Sequence, residues 1–299
     1  MKSGRFYSNA FSFFSFFLFL LSFTALFLGG PGSCLAQDSQ DHLLIYAGAA
    51  SKPPIEELSA AFAKKFGVKT DVMYGGSGVL LSQLKLSQKG DIYFPGSVDF
   101  IAKAAAEKLI VETSEAKIVY LVPAVNVARG NPKKIAGLKD LLRKDVRAVI
   151  ANPENVCLGV FGVELAEKNF SDAEKAEFKS KLLTYVESCE KVANAIVLGS
   201  ADAVVGWSVF EHWNPERIET IKLKPEELTR LSYLSIAITS CSKNAPLAQK
   251  FIDFIKSDEG MAFFKKYKYF TTEKEALDYA GGKMPVGGGC YKVPEMWLK

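Results

Sequence analysis

Lys117-Ile118-Val119-Tyr120-Leu121-Val122-Pro123-Ala124-Val125-Asn126-Val127-Ala128 is the stretch that decides the architecture. It is long and apolar, and Pro123 stands at its centre, where a helix would lose a hydrogen bond and clash with the preceding turn. A strand passing from one lobe to another tolerates that proline. Before it, Leu43-Leu44-Ile45-Tyr46 reads as a strand, and Ser51-Lys52-Pro53-Pro54 opens a helix with proline in its first turn. Ile55, Leu58, Phe62 and Phe66 form that helix's apolar stripe, which stops at Gly67. Val68–Tyr74 alternates like a strand. Gly75-Gly76-Ser77-Gly78 is a tight loop with Ser77 as the N-cap of a helix to Leu86, and Asp91-Ile92-Tyr93-Phe94 is a third strand. Asp99 caps the next helix. This β-α-β-α-β order predicts a parallel sheet covered by helices on both faces.

After the crossing a second α/β unit follows. Leu138–Leu142, Gly159–Lys168, Ala173–Val186 and Val192–Leu198 read as helices, and Val146–Ala151 and Ala203–Trp207 as strands. Leu231–Thr239 is a second long apolar stretch and a candidate return crossing. Ala245–Ser257 and Asp258–Lys266 close the chain as helices before a Gly-rich tail. The expected organisation is lobe I over 37–122, lobe II over 123–232, and a return to lobe I with the tail over 233–299.

The 299 residues are 48% hydrophobic and 23% charged, which excludes a disordered chain. Lys and Arg number 37 against 33 Asp and Glu, too weak a balance to suggest nucleic acid. Residues 1–36 read as an export signal: Lys2 and Arg5 precede an uncharged apolar run from Phe11 to Leu28, and Ser33-Cys34-Leu35-Ala36 offers small residues for cleavage after Ala36. An uncleaved anchor and a lipid on Cys34 are the alternatives. The mature chain keeps Cys157, Cys189, Cys241 and Cys290, which suit two disulfides of unspecified connectivity in an oxidising compartment, or four buried thiols. The two histidines, His42 and His212, give little scope for a metal site or an imidazole-dependent mechanism.

Ser51 and Ser77 each lie between a strand and a helix, in loops that line the crevice of an open sheet. Helix N-termini carry unpaired N–H groups and partial positive charge, so several converging ones make an anion site without a cationic side chain. Plain N-capping is the other reading of both serines.

Tyr46-Ala47-Gly48-Ala49-Ala50-Ser51, the Gly75-Gly76-Ser77 loop and Gly90-Asp91-Ile92-Tyr93-Phe94-Pro95-Gly96-Ser97 resemble the molybdate/tungstate-binding proteins of ABC importers. Ala151-Asn152-Pro153-Glu154-Asn155-Val156 with Gly159, Gly199-Ser200-Ala201-Asp202-Ala203 leading to Trp207, and Ser257-Asp258-Glu259-Gly260 extend the resemblance over residues 43–270. It implies a periplasmic-binding-protein fold, two hinged α/β lobes joined by two crossing strands. It further implies a monomeric periplasmic receptor, needing no cofactor, that delivers molybdate or tungstate to a permease and ATPase. The donors implied are Ser51, Ser77, the backbone N–H groups of Leu158 and Cys189, and Trp207, which replaces the family's tyrosine. If both second-lobe loops meet the ligand, Cys157 pairs with Cys189, leaving Cys241 to Cys290. A rival dithiolate for a soft metal lacks further ligands. An anion site of donors alone favours fully ionised tetrahedral anions over protonated phosphate. Sulfate, an organic acid or a metal complex remain alternative ligands. An exported enzyme using Cys157 or Ser77 as nucleophile would need a base beside it, and neither histidine neighbours these loops in sequence.

Overall fold

The computed structural model describes residues 42–182, 184–288 and 291–298. Its first α/β unit runs β1 (His42–Gly48), α1 (Lys52–Phe66), β2 (Lys69–Gly75), α2 (Ser77–Ser87), β3 (Ile92–Phe94), α3 (Val98–Ala106) and β4 (Ala116–Leu121). The second runs β5 (Pro123–Ala128), β6 (Ala148–Ala151), α4 (Cys157–Asn169), α5 (Asp172–Lys181), β7 (Tyr185–Val186), α6 (Cys189–Val197), β8 (Ala203–Trp207), α7 (Phe210–Trp213) and β9 (Ile218–Lys222). The chain ends with β10 (Ser232–Ile238), α8 (Ala245–Lys256), α9 (Asp258–Lys266) and α10 (Glu273–Ala280).

Two sheets result, ordered β2-β1-β3-β10-β4 and β7-β6-β8-β5-β9. Strands β1, β2 and β3 are parallel, whereas β10 runs antiparallel to β3 and β4. In the second sheet β6 is parallel to β7 and β8, and β5 is antiparallel to β8 and β9. The sheets are therefore mixed, each with one reversed strand, β10 in the first and β5 in the second, and each is the first strand after a change of lobe. Pro123 marks the change of sheet: β4 belongs to the first and β5 to the second. Helix α1 buries Ile55, Leu58 and Phe62 and stops at Gly67, whose φ of 67° suits glycine.

Several expectations need correction. The return crossing is not Leu231–Thr239: β10 lies wholly in the first sheet, and the chain changes lobes between Lys222 and Ser232. The helix expected over Ala173–Val186 stops at Lys181, since Tyr185–Val186 pairs with Ile150 and Ala151. Gly76, not Ser77, is the N-cap of α2, and Ser97, not Asp99, precedes α3. The chain end also departs from the expected lobe I. Ala276, Ala280 and Trp297 are buried with Val125, Phe178 and Leu223 of the second lobe, and the Trp297 indole donates to Glu167 at 2.6 Å.

Candidate functional site

The carboxyl ends of β1, β2 and β3 lead into α1, α2 and α3, and those of β6 and β7 lead into α4 and α6. Parallel strands place these turns on one edge of each sheet, and the two edges meet. The Gly78 N–H donates to the Asn155 carbonyl at 2.8 Å across the lobes. Glycines make that approach possible. A Cβ on Gly76 would lie 2.7 Å from the Glu187 carbonyl oxygen, and one on Gly96 would lie 2.5 Å from Cys157 Sγ. Lys52 Nζ and Glu190 Oε1, 2.7 Å apart, join α1 to α6 at the rim.

Ser51 and Ser77 are each 1% exposed. Ser51 stands at the N-cap of α1, yet its side chain makes no capping bond and donates instead to the Gly48 carbonyl at 3.0 Å. Ser77 Oγ accepts from the Gly96 N–H at 2.9 Å, and its carbonyl accepts from the Tyr93 hydroxyl at 2.8 Å. Neither serine therefore caps its helix. Leu158 lies in the first turn of α4, and Cys189 is the first residue of α6. The sulfurs of Cys157 and Cys189 lie 3.9 Å apart as free thiols, both buried. Burial pushes the Cys157 thiol well above 9.0, Cys189 adds to the rise, and the Ser77 hydroxyl and Leu158 N–H oppose it. Cys157 Sγ thus sits among Ser77, Leu158, Gly96 and Cys189, where the donors converge.

Trp207 closes β8 and is fully buried. Its ring packs edge to face on Phe161 with centroids 5.0 Å apart, and its Nε1–H has no partner among the described residues. Cys241 is half-buried, with its sulfur 3.7 Å from the Gly90 carbonyl. Cys290 and Cys34, with the whole signal segment, lie outside the described residues. Gly287, three residues before Cys290, bonds to Leu231 at the opposite end of β10 from Cys241.

Sequence reasoning missed three contributors. Gly96 supplies both the N–H that fixes Ser77 and the space that admits Cys157; its motif was visible, its role was not. Tyr269, buried, donates to the Ala50 carbonyl at 2.6 Å and accepts from Trp213 Nε1 at 3.2 Å, tying the loop before α1 to the second lobe. Arg230 joins the lobes behind the cleft. Its guanidinium bonds Asp99 of α3 at 3.1 Å and Glu164 of α4 at 2.6 Å, and lies 4.2 Å from the Phe161 ring centroid.

Neither histidine reaches these groups. His42 pairs with Asp71 at 2.8 Å, and His212 lines a separate cavity of about 310 Å³ with Glu211 and Lys268. A larger groove of about 440 Å³ opens between Lys52, Glu56, Glu57 and Glu190, but its three carboxylates make it a poor seat for a dianion. At the junction itself the side chains are hydroxyls, thiols and glycine. The helix termini there supply positive potential, and Glu190, the acid beside Cys189 in the first turn of α6, is paired with Lys52 at the rim.

Residues 43–269 match the model of the bacterial extracellular solute-binding protein family. The chain belongs to that family. A Haemophilus influenzae chain, named as a binding protein without a stated ligand, is 28% identical to this solute-binding protein over 237 residues, 77% of this chain and 89% of the relative. The molybdate-binding protein ModA of Rhodobacter capsulatus is 21% identical over 222 residues, covering 73% and 84%. Among solved structures, the periplasmic molybdate-binding protein of Azotobacter vinelandii superposes with a TM-score of 0.66 at 15% identity, covering 77% of this chain and all of that one. The sulfate-binding protein SubI of Mycobacterium tuberculosis also gives 0.66, at 18% identity and 82% and 93% coverage. The two lobes of this solute-binding protein therefore have the periplasmic-binding-protein fold. No described helix is long and apolar enough to cross a membrane.

Proposed function

We propose that this solute-binding protein is an extracytoplasmic receptor of an ABC importer whose interlobe cleft takes a fully ionised tetrahedral oxyanion, molybdate or tungstate. The observation that carries the reading is the meeting of the N-termini of α1, α2, α4 and α6 around uncapped Ser51 and Ser77, where the one first-turn carboxylate of these four helices, Glu190 of α6, is neutralised by Lys52 of α1. A dianion has only acceptor oxygens, and the reading gives it donors: the Ser77 hydroxyl, the Ser51 hydroxyl once turned from the Gly48 carbonyl, the N–H groups of Leu158 and Cys189, and the buried, unpartnered indole N–H of Trp207. Protonated phosphate would bring a donor that finds no carboxylate, costing about 1–3 kcal/mol. Cys157 Sγ lies at the convergence, so the anion enters with the lobes parted and this thiol turned aside. Closure over it then presents the receptor to a permease and its ATPase. Export by residues 1–36 with cleavage after Ala36 completes the scheme, and no metal or cofactor is required.

The serine variants test it. Ser77→Ala strands the buried Gly96 N–H and should lower stability by about 1–3 kcal/mol, and Ser51→Ala should cost about 1 kcal/mol. If both hydroxyls also meet the anion, each variant should lose about 1.5–3 kcal/mol of molybdate affinity, roughly ten- to over a hundredfold. Melting and calorimetric titration on the same samples separate the roles: lower melting with unchanged affinity would leave the serines structural and the site unassigned.

A further inference from the structure

The two thiols stand where a receptor for an inert oxyanion has no need of them. Cys157 and Cys189 are each the first residue of a helix, α4 and α6, and both sulfurs are buried. Their 3.9 Å separation is one that a single bridging atom spans with bonds of about 2.3 Å, the length of a zinc–thiolate bond. Cys157 Sγ also has oxygen- and nitrogen-borne hydrogens at hand, from Ser77 and the Leu158 N–H. A tetrahedral dianion must displace this sulfur. A ligand whose central atom is thiophilic bonds to it, and its remaining oxygen falls among donors already in place.

The surroundings choose between thiophilic ligands. A soft metal cation would meet the positive ends of two helices, and no group of three or more His, Cys, Asp or Glu side chains able to hold a metal occurs among the described residues. An uncharged trivalent oxyacid brings no net charge into the cleft. The Cys157 thiol, held protonated by burial, suits it too, because its condensation consumes thiol protons.

We infer that the Cys157–Cys189 dithiol is a capture site for a trivalent thiophilic oxyacid of the arsenous type. The step is redox-neutral. Two arsenic–oxygen bonds of As(OH)3 break, two arsenic–sulfur bonds form, and each departing hydroxyl leaves as water with a thiol proton. The product is a cyclic dithioarsenite with one hydroxyl, whose oxygen accepts from the Ser77 hydroxyl or the Leu158 N–H. The inference deepens the oxyanion reading, resting on it for ligand entry into the same cleft.

The experiment uses the exported protein, reduced with a phosphine, freed of reductant and titrated with sodium arsenite. Uptake is read by intact-protein mass and by the number of thiols protected from an alkylating reagent. One arsenic per chain and two protected thiols are expected. Because two linked thiols gain roughly a hundredfold or more over one, Cys157→Ser and Cys189→Ser should each weaken uptake by roughly that factor, while Cys241→Ser leaves it unchanged. No uptake by the reduced chain, equal uptake by either serine variant, or a Cys157–Cys189 disulfide that resists the phosphine would overturn the inference. Parallel molybdate titrations keep the two readings apart. Molybdate binding without arsenite uptake rejects the dithiol alone; arsenite uptake without binding of any tetrahedral anion rejects the receptor reading and keeps the dithiol.

Discussion

Two of the polar junctions between the lobes differ in kind. Behind the cleft, Arg230 lies between Asp99 and Glu164, with side-chain exposures of 9%, 2% and 6%. Gly287 accepts from the same guanidinium at 3.1 Å, and Thr229 donates to Glu164 at 3.2 Å. Burial alone would lower the guanidinium's pKa, but Glu164 and Asp99 raise it above its ordinary value. Asp99 gains further from its place in the first turn of α3. This junction is charged and internally matched. At the cleft, by contrast, hydroxyls, thiols and helix N-termini meet, and the Lys52–Glu190 ion pair is left half-exposed at the rim. The first junction is therefore a fixed joint, and the second is the one we propose as the seat of the ligand.

Breaking the charged junction should have the largest effect. Arg230→Ala strands two buried carboxylates and should cost about 3–5 kcal/mol in denaturant unfolding. Placed on an Asp99→Asn, Glu164→Gln background, the same change should cost far less, because no charge is then stranded; equal costs would mean that the triad is not coupled. Around Gly96 steric fit matters more. Gly96→Ala pushes a methyl group into Cys157 Sγ and should cost about 1–3 kcal/mol. Cys157→Ala should relieve most of that penalty, and a double-mutant cycle showing additivity would contradict the contact.

The smallest effect concerns pH. Burial raises the folded-state pKa of Cys157 above its ordinary 9.0, so the associated stability is complete below that value. It is lost as pH climbs from there toward the folded-state pKa, because the unfolded chain ionises first. The melting temperature of the wild-type protein should therefore fall more steeply above pH 9 than that of Cys157→Ser, and parallel curves would show that the thiol is not shielded.

What the sequence disclosed follows the same division. Periodicity and punctuation located β1 to α3 and the crossing at Pro123, because those signals are local: an apolar stripe, a terminal glycine, a misplaced proline. The serine loops were legible for the same reason. Asp99 was misread as a cap because its partner lies 131 residues away, and nothing local marks an aspartate as half of a buried ion pair. Trp297 was assigned to the wrong lobe on similar grounds, since the second lobe's core holds it through Phe178 and Glu167. The proximity of Cys157 and Cys189 came from resemblance rather than from spacing. Ser77 was displaced from the N-cap by one residue, and only tertiary contact reveals that its hydroxyl serves Gly96.

The junction of Ser51, Ser77, Leu158 and Cys189 should then seat a fully ionised tetrahedral anion. Calorimetric titration of the reduced, ligand-free protein with molybdate, tungstate, sulfate and phosphate at neutral pH tests it most directly. Molybdate or tungstate should bind with one site per chain, and phosphate should bind at least about tenfold more weakly, the factor that 1.4 kcal/mol supplies. Equal affinity for phosphate and molybdate, or no heat from any of the four anions, would contradict it.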